Sequence, residues 1–144
     1  MIILYIINIV LLCALLFSIR KSRTYKHTQK TFQRLVDHIN IGYYRFRYKD
    51  GVILDANSGF VRILELDSKV RDVIGRSLSE LLIYVDDGQS IKEQLASRKV
   101  LTNYEYRFKT IGGRDKTVLH NAYMIKDPYT DQEIVEAFIE DVTE

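Results

Sequence analysis

The chain opens with an unbroken apolar run, and the pattern changes character at Arg20. Residues Ile2 to Ile19 carry no charge, and Asn8 and Ser18 are their only plainly polar members. Eighteen such residues at ~1.5 Å rise make a helix of roughly 27 Å, close to the ~30 Å hydrocarbon core of a bilayer. A cleaved secretory signal needs a positive start and a small-residue cleavage site. Here only Met1 precedes the run, and Arg20-Lys21-Ser22-Arg23 follows it directly. A core helix of this length would lack the polar face that a small domain requires. The run therefore predicts a transmembrane anchor over residues 1–19.

A second pattern begins further on. Phe32, Leu35, Val36 and Ile39 fall at i, i+3, i+4 and i+7, so residues 20–40 predict a basic juxtamembrane helix with one narrow apolar stripe. Such a stripe suits either packing on the following domain or pairing with a second copy.

From residue 41 the period changes to two. Tyr44, Phe46 and Tyr48 alternate with Arg45, Arg47 and Lys49, as in a half-buried strand. Asp50-Gly51 is a hairpin turn signal, and Val52 to Ala56 reads as the partner strand. Asn57 can cap a short helix whose Phe60, Ile63 and Leu64 share a face. Ser77 and Glu80 form a capping box ahead of Leu81 and Leu82, and a further helix is expected from Asp86 or Asp87 to about Arg98. Tyr104, Tyr106 and Phe108 then alternate with polar neighbours, Gly112-Gly113 supplies a turn, and strands follow over 117–125 and 133–140. Two strands, several short helices and three strands predict an α+β domain over 41–144, a five-stranded antiparallel sheet with helices packed on one face.

Charge divides along the same line. Six of the 21 basic residues lie between Arg20 and Arg34, and no acid precedes Asp37. The remaining fifteen stand against all 19 acidic residues, about −4 for the folded part. A nucleic-acid binder gathers basic residues on a face of its folded domain, so nucleic acid is set aside. The cluster beside the apolar run instead places the N-terminus outside and everything after Arg20 in the cytoplasm. Cys13 lies inside the apolar run, which leaves no disulfide for the domain.

The segments Ile41-Gly42-Tyr43-Tyr44-Arg45, Asp50 to Asn57, Val73 to Leu78, Tyr84-Val85-Asp86, Asn121-Ala122 and Ile139 to Glu144, in this order, resemble the PAS domain family. The resemblance implies a sensory module that forms a homodimer and engages a downstream effector, in cis or in trans. Such modules stand in front of histidine kinases and diguanylate cyclases, and the closing Asp141-Val142-Thr143-Glu144 is similar to the junction at which they hand over to a signalling helix. Asp141 and Thr143 are accordingly the candidates for signal exit, with a plain Asp/Thr helix cap as the competing reading. A ligand-free adaptor that recruits partners to the membrane, and the sensory front of a kinase or cyclase, are the other readings.

The residues offer no catalytic constellation. His27, His38 and His120 lack a His-Glu-x-x-Asn-Pro context, and Gly112-Gly113-Arg114-Asp115 departs from the cyclase signature immediately after its glycines. No Gly-rich phosphate loop and no clustered metal ligands occur. The resemblance also disfavours two cofactors. Haem-binding members place a histidine on the helix that spans 86–98 here, and photosensing flavin members a cysteine in the early helices; neither is present. Another ligand remains open. Alternation points Tyr44, Phe46, Tyr104, Tyr106 and Phe108 inward, with Val118, His120, Ala122 and Met124, while Phe60 and Ile63 close the space from the helical side. These are the ligand-pocket candidates, and the same pattern is what any packed sheet core requires.

Overall fold

A computed structural model describes residues 40–85 and 88–144, with positions 88 and 89 through their backbone only. The expected transmembrane anchor over 1–19 and juxtamembrane helix over 20–40 lie outside the described residues, save Asn40. Among the described residues no helix is long and apolar enough to cross a membrane.

Strand β1 (Ile41–Arg47) turns through Asp50-Gly51 into β2 (Ile53–Ala56). The turn closes because Gly51 adopts φ +70° and its N–H donates to the Arg47 carbonyl at 2.8 Å. Three short helices follow, α1 (Ser58–Ile63), α2 (Val70–Val73) and α3 (Leu78–Leu81), then β3 (Leu82–Tyr84) and the longer α4 (Gly88–Arg98). Three long strands complete the domain: β4 (Val100–Thr110), β5 (Asp115–Lys126) and β6 (Glu133–Asp141). The sheet order is β2-β1-β6-β5-β4-β3, antiparallel throughout.

The sheet thus has six strands, not the five expected. Leu82, expected to continue the helix after the capping box, turns instead to extended backbone and pairs with Thr110. Without β3 the outer edge of β4 would present unpaired backbone groups. Pairing there also buries both Leu82 and Thr110. The capping box itself forms, the Glu80 carboxylate accepting from the Ser77 N–H at 3.2 Å.

Alternation assigns the two faces. Tyr44, Tyr106, Phe108, Val118, His120, Ala122, Val135, Ala137 and Ile139 are buried under the helices. Leu101 and Tyr104 share this face although three positions apart. A bulge between them sets two residues of β4, Thr102 and Asn103, against Asn121 of β5, with Asn103 at φ +47° and its N–H held by Asn121 Oδ1 at 2.8 Å.

Helix α1 is clamped onto β1. The Asn57 side chain accepts from the N–H groups of Phe60 (2.9 Å) and Tyr43 (2.8 Å), and donates to the Ile41 carbonyl (3.0 Å). Two glycines make the approach possible. A Cβ on Gly59 would lie 2.1 Å from the Ile41 oxygen, and one on Gly42 would lie 2.9 Å from the Phe60 Cα. This half of the core is filled: Phe60 and Leu64 have no exposed surface, and the Phe60 ring lies 4.5 Å from that of Tyr44.

Candidate functional site

The other half is not filled. Between the sheet and α4 lies a cavity of about 420 Å³, within the ~300–1,000 Å³ usual for small-molecule sites. Tyr44, Phe46 and His120 line it from the sheet, Tyr84 from β3, and Ile91 and Leu95 from α4. Its mouth is polar, with Lys49, Asp50 and Gly51 of the hairpin, Ser77 and Ser79 of α3, and Lys92. The Tyr48 hydroxyl donates to the Lys92 carbonyl at 3.2 Å, which ties the hairpin to α4 across that mouth. Asp50 is already engaged, both its oxygens accepting from Arg47 Nε at 2.9 and 3.0 Å.

His120 is the one titratable imidazole among the described residues, and it is buried. Its Nε2 shares a hydrogen bond with the Tyr44 hydroxyl at 3.2 Å. The Tyr44 and His120 rings are nearly parallel, while the Tyr106 ring meets His120 edge-on with centroids 5.4 Å apart. The Tyr106 hydroxyl also hydrogen-bonds with Tyr44. His120 Nδ1 is buried and has no partner among the described residues. Burial without a nearby carboxylate lowers the His120 pKa to about 4, so the ring is neutral at pH 7. A neutral imidazole holds one proton. If Nε2 accepts from Tyr44, Nδ1 is a donor; in the other tautomer it is an acceptor. Burial raises the surrounding phenols too, Tyr84 to about 12 and Tyr44 well above its ordinary value.

The two exit candidates sit at the far end of β5 and β6. Lys116 Nζ bonds Asp141 Oδ2 at 2.7 Å and Glu65 Oε1, just past α1, at 3.2 Å. Thr143 Oγ1 accepts from the Thr117 N–H at 3.0 Å, and the Thr143 N–H donates to Asp141 Oδ1 at 3.0 Å. Burial opposes ionisation of Asp141, but the hydrogen bonds from Lys116 and Thr143 outweigh it and hold the carboxyl below its usual range. Asp141 in turn raises Lys116.

A family model described as a PAS domain matches residues 42–144. The chain belongs to the PAS domain family. Similar solved structures include a PAS domain from a two-component sensor histidine kinase, with TM-score 0.61, 14% identity, and coverage of 81% of this chain and 98% of that one. The PAS domain of nitrogen regulation protein NR(II) from Vibrio parahaemolyticus gives 0.62 and 13%, covering 76% and 96% of the two chains. A PAS domain in complex with ethanol, from a LuxR-family transcriptional regulator of Burkholderia thailandensis, gives 0.55 and 21%, covering 72% and 90%. At these identities the likeness is one of fold. No curated protein sequence matches the chain. The PAS domain described here shares its fold with PAS domains of histidine kinases.

Of the pocket candidates read from sequence, Tyr44, Phe46 and His120 line the cavity. Phe60, Ile63, Tyr106, Phe108 and Ala122 belong to the packed core instead, and Tyr104 is partly buried at its margin. Sequence reasoning missed Tyr84, Ile91 and Leu95. The i, i+4 pair Ile91 and Leu95 was legible as the inner stripe of α4, but nothing in that stripe distinguishes a wall that stands off from one that packs. Among the described residues no group of three His, Cys, Asp or Glu side chains is placed to hold a metal.

Proposed function

We propose that this chain is a membrane-anchored sensor whose cytoplasmic PAS domain binds a small molecule in the cavity under α4. The bound state is relayed through Asp141 and Thr143 to an effector in cis or in trans, with the chain acting as a homodimer. The observation that carries this reading is the cavity itself: a mainly apolar space of about 420 Å³ between the sheet and α4, lined by Tyr44, Phe46, Tyr84, Ile91, Leu95 and His120. The uncharged run over 2–19 and the basic residues after it support the anchor and its orientation.

The test is to purify the full chain in mild detergent without added ligand, extract it, and identify small molecules by mass spectrometry. A near-stoichiometric compound, lost in an Ile91→Trp variant that fills the cavity, is the expected result. An empty cavity that no compound library perturbs, in a chain that still dimerises, would favour the ligand-free adaptor. Protease digestion of sealed vesicles checks the topology, with the domain expected to be cleaved only when the cytoplasmic face is exposed.

A further inference from the structure

The two edges of the sheet are finished differently. Along β2 the outward backbone is taken up. The Ile53 N–H donates to the Arg76 carbonyl at 2.8 Å, the Ile53 carbonyl accepts from the Gly75 N–H at 2.8 Å, and Val52 forms a bridge with Ser77. Along β3 it is not. The Val85 N–H donates to the Arg107 carbonyl at 3.2 Å, and Leu82, Ile83 and Tyr84 stand opposite Thr110, Lys109 and Phe108. Hydrogen-bonded and non-bonded pairs alternate along an antiparallel ladder. Val85–Arg107 and Ile83–Lys109 are therefore the bonded pairs, and the backbone groups of Leu82 and Tyr84 point away from β4. The Leu82 N–H is consumed by the Leu78 carbonyl at the end of α3. The Leu82 carbonyl, and both the N–H and the carbonyl of Tyr84, face outward with no partner among the described residues.

Open sheet edges are ordinarily blunted by a charge, a proline or a bulge. β3 carries none of these. Leu82-Ile83-Tyr84-Val85 is uncharged, and Ile83, Tyr84 and Val85 are 55%, 38% and 48% exposed. Their side chains alternate across the edge. Tyr84 lies on the helical side, where it lines the cavity; Ile83 lies on the other, beside Lys109, with the exposed Arg107 two residues along the same face. Asp115, 3.6 Å from Lys109 Nζ, is itself exposed, and such a surface pair holds its cation weakly. An added strand would meet a phenol ring on one side and an apolar side chain backed by two cations on the other. We propose that β3 is a docking edge for an extended peptide segment of a partner protein, added to the sheet as a further strand. The segment carries an apolar residue that packs on Tyr84 between two acidic ones whose stems cross Ile83 and whose carboxylates reach Lys109 and Arg107. A second copy of this edge would bring the same two cations in place of carboxylates, so the charge favours an unlike strand. Docking there needs no guest in the cavity and stands apart from the ligand site.

The experiment is an NMR titration of the full chain in detergent micelles with the peptide acetyl-Ser-Glu-Phe-Glu-Ser-amide, read at the amides of residues 82–85. With the peptide phenylalanine opposite Tyr84, its N–H and carbonyl meet those of Tyr84, and the last serine N–H meets the Leu82 carbonyl. The expected result is a shift of these amides and at least tenfold slower exchange of the Tyr84 N–H at saturation. A peptide N-methylated at phenylalanine, and one with both glutamates replaced by lysine, are each expected to bind at least tenfold more weakly. Ile83→Glu, a change at an exposed position, should weaken the glutamate peptide by a similar factor while the spectrum of the remaining domain stays unchanged. Equal binding of the N-methylated peptide would overturn strand addition. A lysine peptide that bound as tightly or more so would overturn the acidic class, in favour of capture by Asp86 and Asp87, next in sequence. Protection of the Tyr84 N–H that rises with protein concentration before any peptide is added would assign the edge to a second copy of the chain. No shift at residues 82–85 with any of the peptides would overturn the docking edge itself.

Discussion

Acid should unfold this domain earlier than its carboxylates alone would require, because His120 must enter the folded state uncharged. The folded pKa is about 4 and an unfolded histidine titrates near ~6.5, so the proton is bound more tightly by the unfolded chain. The contribution is therefore fully present above about pH 6.5 and is lost as pH falls towards 4. At 1.36 kcal/mol per pKa unit the full loss is about 3 kcal/mol, with about 1 kcal/mol already gone near pH 5.5. The groups that meet the imidazole are the phenols of Tyr44 on β1 and Tyr106 on β4, neither of which ionises in this range. Thermal unfolding of the full chain, followed by tyrosine near-UV circular dichroism, measures the loss between pH 7.5 and 4.5. His120→Phe removes the titrating group but keeps a ring of similar size, so its stability should vary much less over that interval. Parallel pH profiles for the two proteins, or an NMR titration of His120 with a midpoint above pH 6, would refute the reasoning.

Three further outcomes are expected. Asn57→Ala strips the cap of α1 and both its ties to β1, and should cost about 2 kcal/mol in the same unfolding assay. Gly59→Ala drives a methyl group into the Ile41 carbonyl and should destabilise by about 3 kcal/mol, with amide-exchange protection lost first in α1 and β1. Lys116→Met and Asp141→Asn should show a coupling of about 1 kcal/mol in a double-mutant cycle, since each removes the same ion pair, and additivity of the two would contradict the 2.7 Å contact.

The parts of this fold that were legible in the sequence are those where one strand face is wet and the other dry. Tyr44 and Phe46 against Arg45 and Arg47, and Tyr104, Tyr106 and Phe108 against charged neighbours, state both the strand and its facing in a few residues. The turns at Asp50-Gly51 and Gly112-Gly113 were equally plain, and Gly51 and Gly113 adopt positive φ as such turns require. β3 was hidden because Leu82-Ile83-Tyr84 is too short to display a period, and its existence depends on the free edge of a strand some twenty-five residues away. The bulge in β4 was hidden for a related reason: only pairing reveals that Leu101 and Tyr104 share a face. For the site, sequence identified the inward residues but not which of them border empty space. That distinction depends on how closely each helix approaches the sheet. Gly42 and Gly59 draw α1 down until Phe60 fills the gap, whereas α4 stands off and leaves His120 beside a void.

One strand carries both of the domain's unusual polar positions. His120 lies three residues along β5 from Thr117 and four from Lys116, a separation of roughly 10–13 Å at ~3.3 Å per residue. No chain of intervening side chains is needed to connect the cavity floor with the contacts that hold Asp141 and Thr143. A single length of β5 backbone is shared by both, so a slide or twist of the strand at His120 is carried directly to Lys116 and Thr117.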